Sequence, residues 1–162
     1  IFESVQNKRV YKINEAISRI KNYCALQDRC QWDVRQKLTE WGLLENTKDI
    51  IMIELINDGF IDEERFSRSF CRGKFRIKKW GRRKIKFELK MKNISSVCIK
   101  KGMEEIDEKE YLKALENQAE KKNELIKEKN HFKRQTKLGN YLIKRGFEAN
   151  LVWEKLKEMS DK

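Results

Sequence analysis

The chain has 162 residues, no proline, 40% charged residues and a net charge of +12, a composition typical of an all-α protein. Four cysteines without CxxC spacing and a single histidine do not form a zinc-site or disulfide pattern, so we expect reduced thiols, no metal and no cofactor. No run is apolar enough to span a membrane and no signal-peptide pattern is present, so we expect a cytoplasmic protein.

Three helices are predicted before residue 60. The first covers roughly residues 10–28, and the second is short and stops at Gly42, a residue type that commonly follows a helix end. The third is capped by Thr47 and stops near Gly59. The apolar positions of the first and third helices are Ile13, Ala16, Ile17, Ile20, Cys24, Ile50, Ile53 and Leu55.

The rest of the chain repeats this organisation. Asp62 and Asp107 are each placed to cap a long helix and are each followed four residues later by an aromatic residue. A Leu four residues before Gly or Asn recurs at Leu38–Gly42, Leu89–Asn93 and Leu142–Gly146. We therefore predict three tandem three-helix repeats, over residues 1–60, 61–105 and 106–162, stacked into an elongated curved array.

The positive charge is concentrated in the second repeat. Residues 65–101 hold fifteen bases and one acid, whereas residues 1–64 hold nine bases and twelve acids. The predicted long helix over residues 63–80 places the basic residues on one side and Phe66, Phe70, Ile77 and Trp80 on the apolar side. Because like charges four residues apart repel and no acid lies nearby in sequence, this pattern favours a surface that binds a polyanion over an ordinary solvated face.

The candidate site follows this basic stretch. The N-terminal corner Gly81-Arg82-Arg83 is expected to contact phosphate, and Phe75 is the candidate for stacking on a base. The predicted binding residues are Arg68, Arg72, Lys74, Phe75, Arg76, Lys78, Lys79, Arg82, Arg83, Lys84, Lys86 and Lys90. A weaker set in the third repeat comprises Lys133, Arg134, Lys137, Lys144 and Arg145.

Two other charged features are interpreted as ordinary surface charge without a binding role. The acid pair Glu104-Glu105 is interpreted as ordinary helix-end charge, and His131 as a surface residue. The sequence contains no Ser-His-Asp set and no Gly-rich phosphate loop, so no enzymatic activity is expected.

The stretch from Cys24 to about Tyr111 resembles the RecX family of bacterial regulators of the RecA recombinase. The resemblance lies in the run IDEERF at residues 61–66, in WGRRKIKFEL at residues 80–89, and in DVRQKL at residues 33–38 before Trp41-Gly42. Asp33 stands where the family usually has Glu, and the third repeat matches only at Leu142, Gly146 and Phe147.

The resemblance implies a modulator that binds the RecA–DNA filament and restrains recombination, with no catalytic activity or cofactor. It also implies a curved rod of three three-helix repeats. We accordingly expect a monomer whose partners are a RecA-type filament and single- or double-stranded DNA of any sequence. The alternative is a stand-alone nucleic-acid-binding protein, for example a helix-turn-helix transcription factor, although no helix with mixed Asn, Gln and Arg for base readout stands out.

Overall fold

The structure is a computed structural model that describes residues 11–162. These residues form nine α-helices and no strand, which confirms the all-α prediction. The helices are α1 (Ile13–Leu26), α2 (Gln31–Glu40), α3 (Glu45–Asn57), α4 (Glu63–Arg76), α5 (Arg82–Met91), α6 (Ser96–Met103), α7 (Glu108–Leu125), α8 (His131–Lys144) and α9 (Ala149–Ser160).

The chain divides into two compact units. The first contains the described residues up to Phe66 together with Lys92–Ile94, and the second contains Ser67–Met91 and Ser95–Lys162. In the first unit α1, α2 and α3 contact one another. In the second, α7, α8 and α9 contact one another and α5 contacts α6. Each unit is thus built from helices that pack on one another, and the predicted repeat boundaries after residues 60 and 105 remain predictions.

The core of the first unit draws on all three of its helices. On α3, Ile51, Met52 and Leu55 are buried, whereas Ile50 and Ile53 are exposed, so the predicted apolar face was wrong for those two residues. The helix also begins at Glu45, two residues before the predicted cap Thr47. An isoleucine-rich helix carries apolar residues on several sides, and its period alone does not identify the buried face.

The predicted helix ends are confirmed where they depend on local chemistry. Gly42, Asn93 and Gly146 all have positive φ, at 77°, 58° and 104°. The N–H groups that follow Gly42 and Gly146 donate to the carbonyls of Leu38 and Leu142 at 3.2 Å, the bond that closes a helix before a left-handed residue. The carboxylates of Asp62 and Asp107 accept N–H bonds three residues ahead at 2.9 and 3.1 Å.

Helix α4 is shorter than predicted, because it ends at Arg76 and not at residue 80. Ile77, predicted to be apolar packing, is 78% exposed, and Lys79 adopts a left-handed φ of 59°. The cause lies in the second unit. The Gly81 N–H donates to the carbonyl of Arg145 at 2.9 Å, so this long-range contact sets the path of the chain after Arg76.

Candidate nucleic-acid interface

The start of α5 is occupied by the protein's own acceptors. The N–H of Gly81 donates to Arg145, that of Arg82 to the Tyr111 hydroxyl at 3.1 Å, and that of Arg83 to the Gly146 carbonyl at 3.0 Å. A Cβ at Gly81 would lie 2.2 Å from the Gly146 backbone, so only glycine permits this approach. Because these three N–H groups are already bonded within the protein, they are not free donors for phosphate, and the phosphate contact at this corner remains a prediction.

Arg82 lies at the centre of a hydrogen-bonded network within the second unit. Its guanidinium donates to both carboxylate oxygens of Glu148 at 3.2 and 2.7 Å and to Glu108 at 2.7 Å. It also lies 3.9 Å from the centroid of the Tyr111 ring, whose hydroxyl donates to Glu148 at 2.8 Å. The bonds to Glu148 raise the pKa of Arg82, and burial raises the pKa of Tyr111. Arg82 thus has a structural role in joining these residues, which the sequence prediction did not include.

Arg68 and Arg72 are paired with acids that are distant in sequence. Arg68 contacts Glu104 at 3.3 Å and Glu105 at 3.2 Å, and Arg72 contacts Glu105 at 3.3 Å. A hydrogen bond from Arg68 lowers the pKa of Glu105, and a hydrogen bond from Arg72 lowers it further. The prediction that no acid relieves this row of arginines was therefore wrong, and so was the interpretation of Glu104-Glu105 as ordinary helix-end charge.

Two residues of the weaker set also have structural roles. Arg134 donates to the side-chain and carbonyl oxygens of Asn123 and to the carbonyls of Ile126 and Glu128. The guanidinium of Arg145 donates to the carbonyls of Lys78 and Lys79. Both guanidinium groups are therefore engaged within the protein, and their binding roles remain predictions.

Two aromatic residues have surroundings in the structure that differ from those predicted from the sequence. Phe75 is only 5% exposed and its ring centroid lies 5.8 Å from that of Tyr111, so little of its ring is available for the predicted base stacking. Trp80, predicted to be core, is half-buried, and the ammonium groups of Lys74 and Lys84 lie 4.8 and 4.3 Å from its ring. These two lysines are thereby engaged in cation–π contacts.

Six cations of the predicted site remain exposed, with no side-chain partner among the described residues. We call them the outward cations. They are Arg76, Lys78, Lys79, Arg83, Lys86 and Lys90. In the weaker set Lys133 and Lys144 are exposed and Lys137 lies 3.6 Å from Glu128.

The structure adds residues that the sequence prediction missed. A groove of about 270 Å³ lies between the end of α4 and one face of α7. It is lined by Phe75, Arg76, Lys79, Glu110, Lys113, Ala114, Asn117, Gln118 and Lys121. A usable signal was present in the sequence, because Lys109, Lys113, Asn117 and Lys121 follow one another at four-residue spacing without an acid.

Over residues 11–162, no helix combines the length and hydrophobicity needed to cross a bilayer. Nor does that part of the chain contain a group of three His, Cys, Asp or Glu residues arranged to hold a metal ion.

Fold and surface together define an all-α repeat protein with an exposed cationic face. Sequence models of two domains match it: the second three-helix domain of RecX at residues 62–103 and the third three-helix domain of RecX at residues 108–156. These ranges together span more than half of the chain. The chain belongs to the RecX family.

Individual relatives agree with this assignment. The regulatory protein RecX of Prosthecochloris aestuarii is 26% identical over 145 residues, which are 90% of this chain and 93% of that protein. The regulatory protein RecX of Clostridium tetani is 32% identical over 131 residues, 80% of this chain but only 58% of that protein. The crystal structure of RecX from Lactobacillus salivarius has the same fold, with a TM-score of 0.78, 21% identity, and coverage of 93% of this chain and 97% of that one.

Proposed function

We propose that this protein regulates a RecA-type recombinase in DNA repair and recombination by binding the recombinase–DNA filament and lowering its activity. The observation that carries the proposal is the set of six outward cations in a chain of the RecX family. Cations that pair with acids inside the protein stabilise its fold. These six cations are exposed instead, so their charge attracts a polyanion. The protein acts in the cytoplasm by binding alone, without a cofactor and without catalysing a reaction.

Both components of a filament offer the required chemistry. DNA supplies phosphates, and a protein filament supplies surface carboxylates, and cationic side chains form charge-assisted hydrogen bonds with either. If all six outward cations neutralise phosphates, log K should fall against log[salt] with a slope of about −4.2 for single-stranded DNA and about −5.4 for a duplex. A shallow slope would mean that few of the outward cations contact DNA phosphates.

The test is strand exchange by the cognate recombinase, with this protein added at concentrations too low to coat the DNA. We expect inhibition by the wild-type protein and its loss in the triple variant Arg83→Glu, Lys86→Glu, Lys90→Glu. The matched control makes the same charge change at other exposed lysines of the second unit, as Lys127→Glu, Lys129→Glu, Lys162→Glu. That control should still inhibit.

The outcomes separate regulation from simple DNA binding. Inhibition that appears only when the protein coats all the DNA would favour a stand-alone nucleic-acid binder. Equal loss in both triple variants would show that net charge alone, and not the α5 face, is responsible.

A further inference from the structure

The groove between α4 and α7 combines cations, amides and an apolar floor. Arg76 and Lys79 lie on one wall, and Lys113 and Lys121 on the other. None of these four has a side-chain partner among the described residues. The α7 wall also presents the amides of Asn117 and Gln118, which both donate and accept hydrogen bonds. The floor includes Phe75, which is fixed by its contact with Tyr111.

The backbone of the α4 wall is held in place before any ligand binds. The guanidinium of Arg145 donates to the carbonyls of Lys78 and Lys79, and the Trp80 N–H donates to the carbonyl of Lys74 at 3.0 Å. Lys79 keeps a left-handed φ of 59°, which a non-glycine residue adopts at a cost of about 1 kcal/mol. A pre-organised wall lowers the entropy cost of binding.

The dimensions suit one strand of nucleic acid. Lys113 and Lys121 are eight residues apart on α7, a rise of about 12 Å along the helix axis. Stacked nucleotides of one strand are about 3.4 Å apart, so the two lysines span about three to four phosphates. A groove of about 270 Å³ admits individual bases, whereas a double helix would remain outside it.

We propose that this groove binds single-stranded nucleic acid, with the four cations on its phosphates and the amides of Asn117 and Gln118 on base edges. Glu110 also lines the groove, and its carboxylate can accept hydrogen bonds from base amino groups, which the side chains of an acidic peptide do not offer. A ligand that carries only carboxylates would be bound by hydrogen-bond donors of the groove alone. This inference rests on the proposed function in taking DNA as the polyanion, and it adds a site and a preference for single strands.

The experiment measures binding by fluorescence anisotropy without recombinase, using a single-stranded oligonucleotide and a duplex of equal length. Lys113→Ala, Lys121→Ala should lower affinity for the single strand about tenfold, since two phosphate contacts are lost, and affinity for the duplex less than about threefold. The matched control Arg83→Ala, Lys86→Ala removes two cations outside the groove and should affect both ligands similarly. Circular dichroism verifies that each variant is folded.

A neutral variant tests the amide role separately. Asn117→Ala should weaken single-strand binding without changing its salt slope, because no phosphate contact is removed. The inference is overturned if the groove variant weakens both ligands equally or neither, or if a poly-glutamate peptide binds the groove more tightly than the single strand. A protein that inhibits the recombinase but fails these tests would overturn the groove site alone. One that passes them without inhibiting would overturn only the regulatory proposal.

Discussion

Removing the side chain of Arg82 should destabilise the protein, although the residue lies in the most basic part of the sequence. The side chain is only 23% exposed and joins α5 to Glu148 by two hydrogen bonds and to Glu108 by a third. In Arg82→Ala all three are lost together with the contact to the Tyr111 ring. Glu148, also 23% exposed, keeps the Tyr111 hydroxyl as a donor but loses its counter-charge.

The size of the effect follows from these contacts. The charge-assisted pair to the part-buried Glu148 contributes about 1.5–3 kcal/mol. Glu108 is 61% exposed, so its ion pair adds about 0–1 kcal/mol, and the cation–π contact adds about 1 kcal/mol. Because these contributions overlap, we expect a loss of about 3 kcal/mol. For a chain of this length that corresponds to a melting temperature lower by about 6–12 °C.

Thermal and urea unfolding, followed by far-UV circular dichroism, measure this loss. Arg83→Ala is the control, because Arg83 is adjacent, exposed and unpaired among the described residues, and its removal should change stability by no more than about 0.5 kcal/mol. A double-mutant cycle of Arg82→Ala with Glu148→Ala should give a coupling energy of about 1.5–3 kcal/mol. If Arg82→Ala unfolds like Arg83→Ala and loses DNA affinity instead, the structural role assigned to Arg82 is refuted.

Four further substitutions test other parts of the structure. Gly81→Ala should lower the free energy of unfolding in urea by about 3 kcal/mol, because its Cβ would lie 2.2 Å from Gly146. Gly73→Ala should instead stabilise α4 by about 0.5–1 kcal/mol, because a Cβ there meets no other atom within contact distance. Lys79→Gly should stabilise by about 1 kcal/mol by removing the left-handed strain, while reducing the salt slope of DNA binding by about 0.7–0.9. Burial raises the pKa of Glu63, so the folded state holds this proton to higher pH than the unfolded chain, and the associated stability is lost as pH rises through the folded pKa. Glu63→Gln should therefore raise the melting temperature at about pH 7–8 more than at about pH 4.

The parts of the fold that were predictable are those specified by neighbours in sequence. The caps at Asp62 and Asp107 and the helix ends at Gly42 and Gly146 need only a few consecutive residues, and all four were predicted. The end of α4 was not, because it depends on a bond between Gly81 and a carbonyl some sixty residues later in the chain.

The candidate site was predictable only as a stretch of charge. Periodicity placed Arg68 and Arg76 on one side of α4, but it carried no information about the acids that fold against that side. Glu104 and Glu105 pair with Arg68 just after the end of α6, whereas no acid among the described residues forms an ion pair with Arg76. Which cations remain available is thus a property of tertiary structure, although the acid-free row on α7 was readable from spacing alone.

In the second unit, arginine and lysine have different roles that follow from the chemistry of their side chains. The guanidinium donates in several directions at once, which suits it to joining two elements, and Arg68, Arg82 and Arg145 each bond to two residues elsewhere in the chain. Four of the six outward cations are lysines, whose strongly hydrated ammonium forms a single mobile contact. The excess of bases over residues 65–101 is therefore compatible with a stable fold, because much of the arginine charge is neutralised internally. It follows that Arg82→Lys, which keeps the charge, should still destabilise the protein, whereas Arg83→Lys should leave both stability and DNA affinity nearly unchanged.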